Sequence, residues 1–313
     1  MAADCCTNPS FTRDPRSHKK YCKIHFSQFI ENRVQRTISQ YKLFTRDERI
    51  GIGYSGGKDS NVLLFILLKL QTRFNSTNLV ALTVDEGITG YRESCIQLTQ
   101  KVTKDNQIEH WIMSFEELFG VTLDEVVQKS QQFSSRLSPC AYCGILRRRA
   151  LNVLAQQANV SKIATGHNLD DEAQSILMNI LRGDARKFVR LSREPTQNFS
   201  QMIPRIRPLV KISEPEIVLY AQANDLEYHS IPCPYAASAM RNDIRTFLSL
   251  METKRPSTLM NVVHAHDALR QYFPQKTNVS PPFRCDSCGE IASAEKCPVC
   301  ELLSKLGIKT DTD

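Results

Sequence analysis

The stretch that most constrains this chain is a glycine turn between two apolar runs, Ser55-Gly56-Gly57-Lys58-Asp59-Ser60. Residues 50–54 before it predict a short buried strand, and residues 61–70 after it place apolar side chains over most of a helix surface. This order delivers backbone N–H groups, serine hydroxyls and a lysine to the start of a helix. The stretch therefore predicts a phosphate site in an α/β fold.

The order of residues in this turn differs from the Walker A motif, in which Ser or Thr directly follows the lysine. Here Asp59 follows Lys58. The turn resembles the PP-loop of ATP pyrophosphatases, which hold the β and γ phosphates of ATP and release them as pyrophosphate. A plain glycine-rich turn between strand and helix is the alternative. On the PP-loop interpretation, the ATP contacts are Gly53, Tyr54, Ser55, Gly56, Gly57, Lys58, Asp59 and Ser60.

The charge of the chain suggests a polyanionic partner. Its 313 residues include 40 Lys and Arg against 33 Asp and Glu, a net charge of +7. Residues 141–210 hold 11 basic and 5 acidic residues, and the arginine-rich, irregular part at 182–207 suits nucleic-acid phosphates. A solvated basic face is the alternative. No apolar run reaches membrane length and no signal pattern opens the chain, which predicts a cytoplasmic protein without a membrane partner.

The chain has 11 cysteines, and most of them lie in pairs separated by two intervening residues. In an intracellular protein this spacing favours metal sites over disulfides. Near the C-terminus, two Cys-x-x-Cys pairs enclose eight residues, the spacing of a zinc ribbon with ligands Cys285, Cys288, Cys297 and Cys300. Near the N-terminus, Cys22 and His25 form half a zinc site. The other half would be Cys5 and Cys6, whose adjacent side chains diverge along an extended chain. The sequence leaves the fourth ligand of this site open.

Strands and helices alternate after the glycine turn. Strands are predicted at 79–84, 108–113 and 162–165, and helices at 94–105 and 121–133, which together indicate a Rossmann-like parallel sheet. Ligands of such sheets bind beyond the carboxyl ends of the strands. Backbone near Val84 should therefore face adenine, and Gly166 and Asp171 should face phosphates or Mg²⁺. A capping role for Asp170 or Asp171 is the alternative.

Three further cysteines need another explanation. Cys140-x-x-Cys143 runs into a helix, and Cys233 stands between two prolines. The pair alone fits half a zinc site, a redox dithiol or two ligands of an iron–sulfur cluster. With Cys233 as a third ligand of a cluster, one iron would stay open for an exogenous ligand. Cys95, by contrast, stands alone and is predicted to be a core residue.

In combination, these motifs resemble the tRNA 2-thiouridine synthetase family of PP-loop ATP pyrophosphatases. The resemblance spans nearly the whole chain and is carried by the PP-loop, Pro139-Cys140-x-x-Cys143, Thr165-Gly166-His167-Asn168-Leu169-Asp170-Asp171, Pro232-Cys233-Pro234-Tyr235 and the zinc-type ends. It implies an N-terminal zinc-binding module at 1–30, a PP-loop domain at 31–280 and a C-terminal zinc ribbon at 281–313. It also implies a 4Fe-4S cluster on Cys140, Cys143 and Cys233, and ATP along the PP-loop, Val84, Gly166 and Asp171.

The sequence departs from the family pattern at two places. The N-terminal cysteines are adjacent instead of forming Cys-x-x-Cys. Arg147 stands where some members have a lysine in the helix after the cysteine pair. Because arginine stays charged, Arg147 can contact a phosphate of ATP but cannot serve as a base.

The resemblance implies ATP-dependent thiolation of a tRNA uridine, with the wobble position favoured over the T loop. Lys58, Asp59, Asp171 and Mg²⁺ would assist adenylation of the C2 oxygen. Sulfur would come from sulfide or a thiocarboxylated ubiquitin-like carrier, either through the cluster, which the resemblance favours, or through a cysteine persulfide. The protein would act alone or as a homodimer or heterodimer. The alternatives are a PP-loop ligase that adenylates another base or a small carboxylate, and a non-catalytic zinc-containing RNA-binding subunit.

Overall fold

The computed structural model describes residues 2–15, 17–74, 78–133, 137–191, 202–236, 240–273, 283–292 and 294–308. The strands in this part of the chain are β1 (Thr12–Arg13), β2 (Lys20–Tyr21), β3 (Arg49–Gly53), β4 (Asn78–Asp85), β5 (Glu109–Ser114), β6 (Lys162–Ala164), β7 (Arg205–Ile206), β8 (Phe283–Arg284) and β9 (Ile291–Ala292). The helices are α1 (Lys23–Gln40), α2 (Lys58–Phe74), α3 (Arg92–Asp105), α4 (Phe115–Phe119), α5 (Leu123–Ser130), α6 (Pro139–Gln157), α7 (Leu169–Leu181), α8 (Ala185–Arg190), α9 (Glu214–Ala223), α10 (Met240–Lys254), α11 (Thr258–Arg270) and α12 (Pro298–Lys305). None of the described helices is long and apolar enough to cross a membrane.

Within the described residues, the central sheet has five parallel strands in the order β5-β4-β3-β6-β7. From β3 the chain moves outward through β4 to β5, and it then returns to the other side of β3 with β6 and β7. The direction of strand order therefore reverses between β3 and β6. In open α/β sheets, the crevice at such a reversal, beyond the carboxyl ends of the strands, is the usual ligand site. The predicted Rossmann-like parallel sheet is confirmed.

The sheet separates two apolar cores. Helices α1, α2 and α9 contribute to one core, with Ile30, Leu63 and Tyr220 fully buried. Helices α5, α6 and α12 contribute to the other, with Leu146 and Leu303 fully buried. A further apolar cluster joins α7, α8, α10 and α11 beside the sheet. The carboxyl end of the sheet thus lies between well-packed layers that hold its loops in place.

Close packing explains one glycine in the central strand. A Cβ atom on Gly51 would lie 2.6 Å from Cδ1 of Leu82 on neighbouring β4. Such a contact would force the strands or the core side chains apart. Glycine at this position therefore allows β3 and β4 to pair in register just before the PP-loop.

Both terminal modules are continuous with these cores. Helix α1 begins directly after Cys22 and runs past residue 30, the boundary predicted for the first module, and its Phe26 and Ile30 are in the core. The second predicted boundary lies at 280/281, outside the described residues. Beyond it, Leu302 and Leu303 of α12 and the adjoining Leu306 pack in the same core as α6. The three-part division remains a prediction, and the ends of the chain contribute to the folding of its centre.

Candidate functional site

The PP-loop turns sharply after β3 and leads directly into α2. Gly56 has a φ of +81°, and a Cβ there would lie 3.2 Å from the Cys95 carbonyl oxygen. A left-handed backbone and this close approach both favour glycine. The Ser55 and Ser60 hydroxyls are 3.2 Å apart, and Ser60 Oγ donates to the Gly57 carbonyl at 2.9 Å. The loop is thereby closed around a small polar concavity at the start of a helix.

The two charged residues of the loop are held by remote partners. Lys58 Nζ lies 3.1 Å from an Asp59 carboxylate oxygen and 2.7 Å from Glu214 Oε1. Burial disfavours the charge on Lys58, but Asp59 and Glu214 outweigh it and hold the lysine pKa above its ordinary value. Asp59 Oδ1 also accepts a 2.9 Å hydrogen bond from the Asn168 side chain. The ammonium group is therefore charged and oriented before any phosphate arrives.

A cavity of about 330 Å³ opens beside the loop at the carboxyl ends of the strands. Nine of the residues predicted to contact ATP line it. They are Gly53, Tyr54, Ser55, Asp59, Ser60, Val84, Arg147, Gly166 and Asp171. Its remaining walls are Leu82, Glu86, Leu151, Thr165 and His167. The cavity thus combines an apolar end near Leu82 and Val84 with a polar end at the PP-loop, as a nucleotide requires.

The turn after β6 forms the opposite wall. A Cβ on Gly166 would lie 3.0 Å from the Asp59 carbonyl carbon, so glycine lets this turn pack directly on the PP-loop. Asp171 and Asn168 form a capping box at the start of α7, and Asp171 Oδ1 accepts a 3.1 Å hydrogen bond from Arg241. Asp171 therefore both caps a helix and lines the cavity. The neighbouring Asp170 accepts the Glu214 backbone N–H at 2.7 Å, and burial raises its pKa to about 6.

Cys140, Cys143 and Cys233 lie in one region of the molecule, beside the cavity. Cys140 and Cys143 lie in the first turns of α6, and the Cys140 thiol is 3.4 Å from the Tyr235 carbonyl oxygen, two residues from Cys233. Cys233 packs against the core that contains Cys143. Burial raises the pKa of Cys143, while Arg147 opposes this rise. A cluster binds each thiolate through a different iron, so its cysteine ligands need not touch one another, and three cysteines in one region fit such a group.

The segment that carries Cys233 is attached at both ends. At one end, the His229 backbone N–H donates to the Gly56 carbonyl of the PP-loop at 2.9 Å, and the His229 ring Nε2 is 2.9 Å from Ser94 Oγ. At the other end, the Tyr235 hydroxyl donates to Asp124 Oδ1 at 2.6 Å. The position of Cys233 is therefore defined relative to the PP-loop.

Arginine and glutamate side chains connect the cavity to the cysteines. Arg147 Nη2 is 2.8 Å from Cys143 Sγ, and Arg147 Nε is 2.9 Å from Glu86 Oε1. The Glu86 carboxylate raises the pKa of Arg147. Arg147 was predicted as a cation for a phosphate of ATP. The structure places it at the wall of the cavity and against a cysteine at the same time.

Two clusters at the chain ends can each hold one metal ion. The ligand atoms of Cys5, Cys6, Cys22 and His25 all lie within 4.8 Å of one another, as do those of Cys285, Cys288, Cys297 and Cys300. Both adjacent cysteines therefore reach the N-terminal site, because β1 and β2 turn the chain back beside α1. The His25 backbone N–H lowers the pKa of Cys22 to about 6. At the C-terminal site, backbone N–H groups outweigh burial and lower the pKa of Cys285 to about 6.

Four polar residues of the site were not singled out as contacts by the sequence. They are Glu86, Arg92, Glu214 and Arg241. Apart from the Glu86–Arg92 pair, their contacts join elements that are distant along the chain, as in the pairs Arg147–Glu86, Lys58–Glu214 and Arg241–Asp171. No local pattern encodes such pairs. Cys95 is buried, as predicted, at 2% exposure.

Comparison with known proteins gives matches over the whole chain. A family described as "PP-loop domain" matches residues 26–252. Cytoplasmic tRNA 2-thiolation protein 1 of Drosophila mojavensis is 39% identical over 312 residues, covering 98% of this chain and 89% of the relative. The Drosophila melanogaster protein of the same name is 38% identical over 304 residues, covering 96% and 86%. The structure of the U34-tRNA thiolase NcsA from Methanococcus maripaludis with its 4Fe-4S cluster matches with a TM-score of 0.85 at 31% identity, covering 100% of this chain and 99% of that one.

Proposed function

Because the chain belongs to the PP-loop domain family and, within it, to the cytoplasmic tRNA 2-thiolation proteins, we propose that it is a cytoplasmic ATP-dependent tRNA-uridine 2-sulfurtransferase. The proposed target is the wobble uridine, U34, the nucleotide named for the related thiolase NcsA. One observation carries the proposal: Arg147 lines the PP-loop cavity and also donates to Cys143, so a nucleotide site and a thiol site share one side chain. Activation by ATP and delivery of sulfur can then occur at one place.

In the first step, the C2 oxygen of the uridine attacks the α-phosphorus of ATP. An O–P bond forms, the bond between the α-phosphorus and the bridging oxygen breaks, and pyrophosphate leaves. Lys58 and the backbone N–H groups of the PP-loop would stabilise the charge on the leaving pyrophosphate. Mg²⁺ would accompany ATP, with Asp59 and Asp171 as the carboxylates at the cavity wall. The loop position of the base suits this step, because an unpaired nucleotide leaves its stack more easily.

In the second step, a sulfur nucleophile attacks C2. A C–S bond forms, the C2–O bond breaks, and the electron pair leaves with AMP. AMP is a far better leaving group than oxide, which is why the first step is needed. When bound to Cys140, Cys143 and Cys233, a 4Fe-4S cluster would supply an open iron at which sulfide is held as the nucleophile. Arg147, which stays charged, would orient a phosphate oxygen and would not act as a base.

Both terminal clusters are proposed to hold structural zinc. In a tetrahedral site with Zn–S bonds of ~2.3 Å, two sulfurs lie ~3.8 Å apart. The Sγ atoms of Cys288 and Cys297 are 3.8 Å apart, and one ligand atom from each of four residues closes the coordination shell. The sulfur donor is proposed to be sulfide or a thiocarboxylated ubiquitin-like carrier, and assembly into a homodimer or heterodimer is also proposed.

Iron, acid-labile sulfide and tRNA thiolation in anaerobically purified protein test this function. Roughly four iron per chain and sulfide-dependent 2-thiouridine are expected. Protein that contains zinc but no iron, with a disulfide that resists reduction, would favour the persulfide route. Absence of thiolation with both sulfur donors would contradict the function itself.

Cys233→Ala separates the role of this thiol from ATP binding. The variant is expected to lose thiolation and to retain the ATP dissociation constant of the unaltered protein. Ser230→Ala, exposed in the same segment, is the matched control. A loss of ATP affinity in Cys233→Ala would show that the role assigned to Cys233 is wrong.

A further inference from the structure

Glu86 is a buried carboxylate between two arginines. Its side chain is 6% exposed, and its oxygens lie 2.7 Å from Arg92 Nε and 2.9 Å from Arg147 Nε. A carboxylate this deeply buried is costly unless cations and hydrogen bonds compensate it. Both arginines place a positive charge at ion-pair distance from this carboxylate, so their positions depend on one another through Glu86.

Arg92 connects this carboxylate to the nucleotide loop. Its side chain is 5% exposed, and its guanidinium donates to the Val84 carbonyl at the end of β4 and, at 3.4 Å, to the Ser55 carbonyl. These two carbonyls belong to the strand end and the loop that form the cavity wall. Arg92 therefore fixes Glu86 relative to the site at which ATP is proposed to bind.

Arg147 lies on the other side of the carboxylate and is 48% exposed. Its position is constrained at Nε by Glu86 and at Nη2 by Cys143 Sγ, at 2.8 Å. A long side chain that is half exposed would otherwise sample several rotamers. The ion pair with Glu86 selects the rotamer in which the guanidinium lies between the cavity and the cysteine.

We propose that Glu86 is a positioning residue for thiolation: it holds the Arg147 guanidinium between the nucleotide cavity and Cys143, and Arg92 ties that carboxylate to the PP-loop. This inference rests on the proposed function. Glu86 acts through Arg147, so its contribution exists only while Arg147 is present. An ion pair that only stabilises the fold would change the free energy of unfolding and leave thiolation by the folded protein unchanged.

A double-mutant cycle with Glu86→Gln and Arg147→Met tests this dependence. Thiolation kcat/KM and the ATP dissociation constant are measured for the full-length protein purified without oxygen. Each single variant is expected to lower kcat/KM roughly 100-fold and to weaken ATP binding roughly tenfold. In the Arg147→Met background, Glu86→Gln is expected to change either quantity by no more than about twofold. Losses that multiply in the double variant would overturn the proposal, because Glu86 would then act independently of Arg147.

Glu86→Asp keeps the negative charge but shortens the side chain by one methylene. It serves as a second test variant if Glu86→Gln folds poorly. Its expected loss is intermediate, and it should again vanish when Arg147 is methionine. Glu301→Gln, at a surface ion pair of α12, is the matched control and should leave both quantities unchanged. The ATP-binding measurement distinguishes a failure of the proposed function from a failure of the role proposed for Glu86. Absence of thiolation in the unaltered protein would contradict the proposed function, while the ATP-binding cycle would still decide whether Glu86 acts through Arg147.

Discussion

Lys58 shows how single residues prepare the loop for phosphate. Asp59 and Glu214 hold its ammonium group, and Glu214 comes from α9, far along the sequence. Incoming phosphates would replace these carboxylates as the partners of the ammonium group. Because the pKa of Lys58 is held above its ordinary value, the group is charged at neutral pH.

Substitution of Lys58 by methionine should therefore impair the chemical step. We expect pyrophosphate release with tRNA to fall by roughly 100-fold or more, the usual cost of losing a charge that stabilises a transition state. The readout is pyrophosphate production by protein with tRNA, sulfide and ATP. Lys305→Met, which removes an exposed lysine of α12, should leave the rate unchanged. A Lys58→Met variant that releases pyrophosphate normally would show that the PP-loop works without this cation.

His110 lies behind the same loop. Its Nε2 is 2.7 Å from Thr83 Oγ1, which in turn donates to the Tyr54 carbonyl at 2.7 Å, and its Nδ1 is 3.0 Å from Thr103 Oγ1. Burial lowers the pKa of His110 to about 4. The neutral ring thus joins α3 and β5 to the residue that begins the PP-loop.

The depressed pKa of His110 predicts a loss of stability in acid. Protonation is easier in the unfolded chain, so the contribution of His110 is present above pH ~6.5 and is lost as the pH falls toward about 4. Between pH 7 and pH 5, and allowing for partial exposure of the ring, we expect His110 to account for about 1 to 2 kcal/mol of the decrease in the free energy of unfolding. Urea titrations of the unaltered protein and of His110→Gln at both pH values measure this share. An equal decrease in both proteins would rule out His110 as its source.

At the scale of elements, the segment from His229 to Tyr235 joins the two halves of the site. His229 contacts the PP-loop through Gly56 and lies edge-on to Tyr91, with ring centroids 5.2 Å apart. Tyr235 reaches Asp124, which also accepts the Thr89 backbone N–H at 2.9 Å. Cys233 itself is only partly buried, so these end contacts, more than core packing, determine where its thiol lies.

Removing the hydroxyl of Tyr235 should make the position of Cys233 less well defined and should leave ATP binding unchanged. A hydrogen bond to a charged group contributes about 1.5 to 3 kcal/mol, so Tyr235→Phe should lower retained iron and thiolation by roughly tenfold or more. The ATP dissociation constant should stay within about twofold because the His229 contact with Gly56 remains. Iron analysis and titration calorimetry give the two readouts, with Tyr272→Phe, 85% exposed, as the control. Unchanged iron content in Tyr235→Phe would show that its hydroxyl does not position Cys233.

The elements also show which features can be predicted from sequence. Apolar runs bounded by turns were enough for β3, β4, β5 and β6, whose observed bounds differ from the predicted ones by one or two residues at most. Strand β7 was missed because it has two residues, Arg205–Ile206, in a basic stretch interpreted as irregular. Helix α4 was missed because its capping box lies inside a predicted connection between β5 and α5. The PP-loop and the cysteines were found from local spacing, whereas Glu86 and Glu214 act through contacts that only the folded chain creates.

At the scale of the whole molecule, the two terminal clusters of candidate metal ligands support different cores. The N-terminal cluster begins α1, which packs with α2 of the PP-loop unit. The C-terminal cluster begins α12 at Cys297, and Leu302 and Leu303 of that helix and the adjoining Leu306 pack in the core that contains Cys143. Loss of one metal should therefore disturb one half of the active site more than the other.

Substitution of one ligand in each cluster tests this asymmetry. With Cys300→Ser, α12 should detach and expose the face of α6 that it covers, so amide hydrogen exchange across Pro139–Gln157 should rise and iron content should fall. With Cys22→Ser, exchange should rise in Lys23–Gln40 and iron content should stay close to that of the unaltered protein. Each variant is the control for the other, because each removes one thiolate and is expected to lose one zinc. If α6 exchanged equally fast in both variants, the two terminal clusters would stabilise the molecule as a whole. The prediction that the C-terminal cluster specifically supports the core around Cys143 would then be wrong.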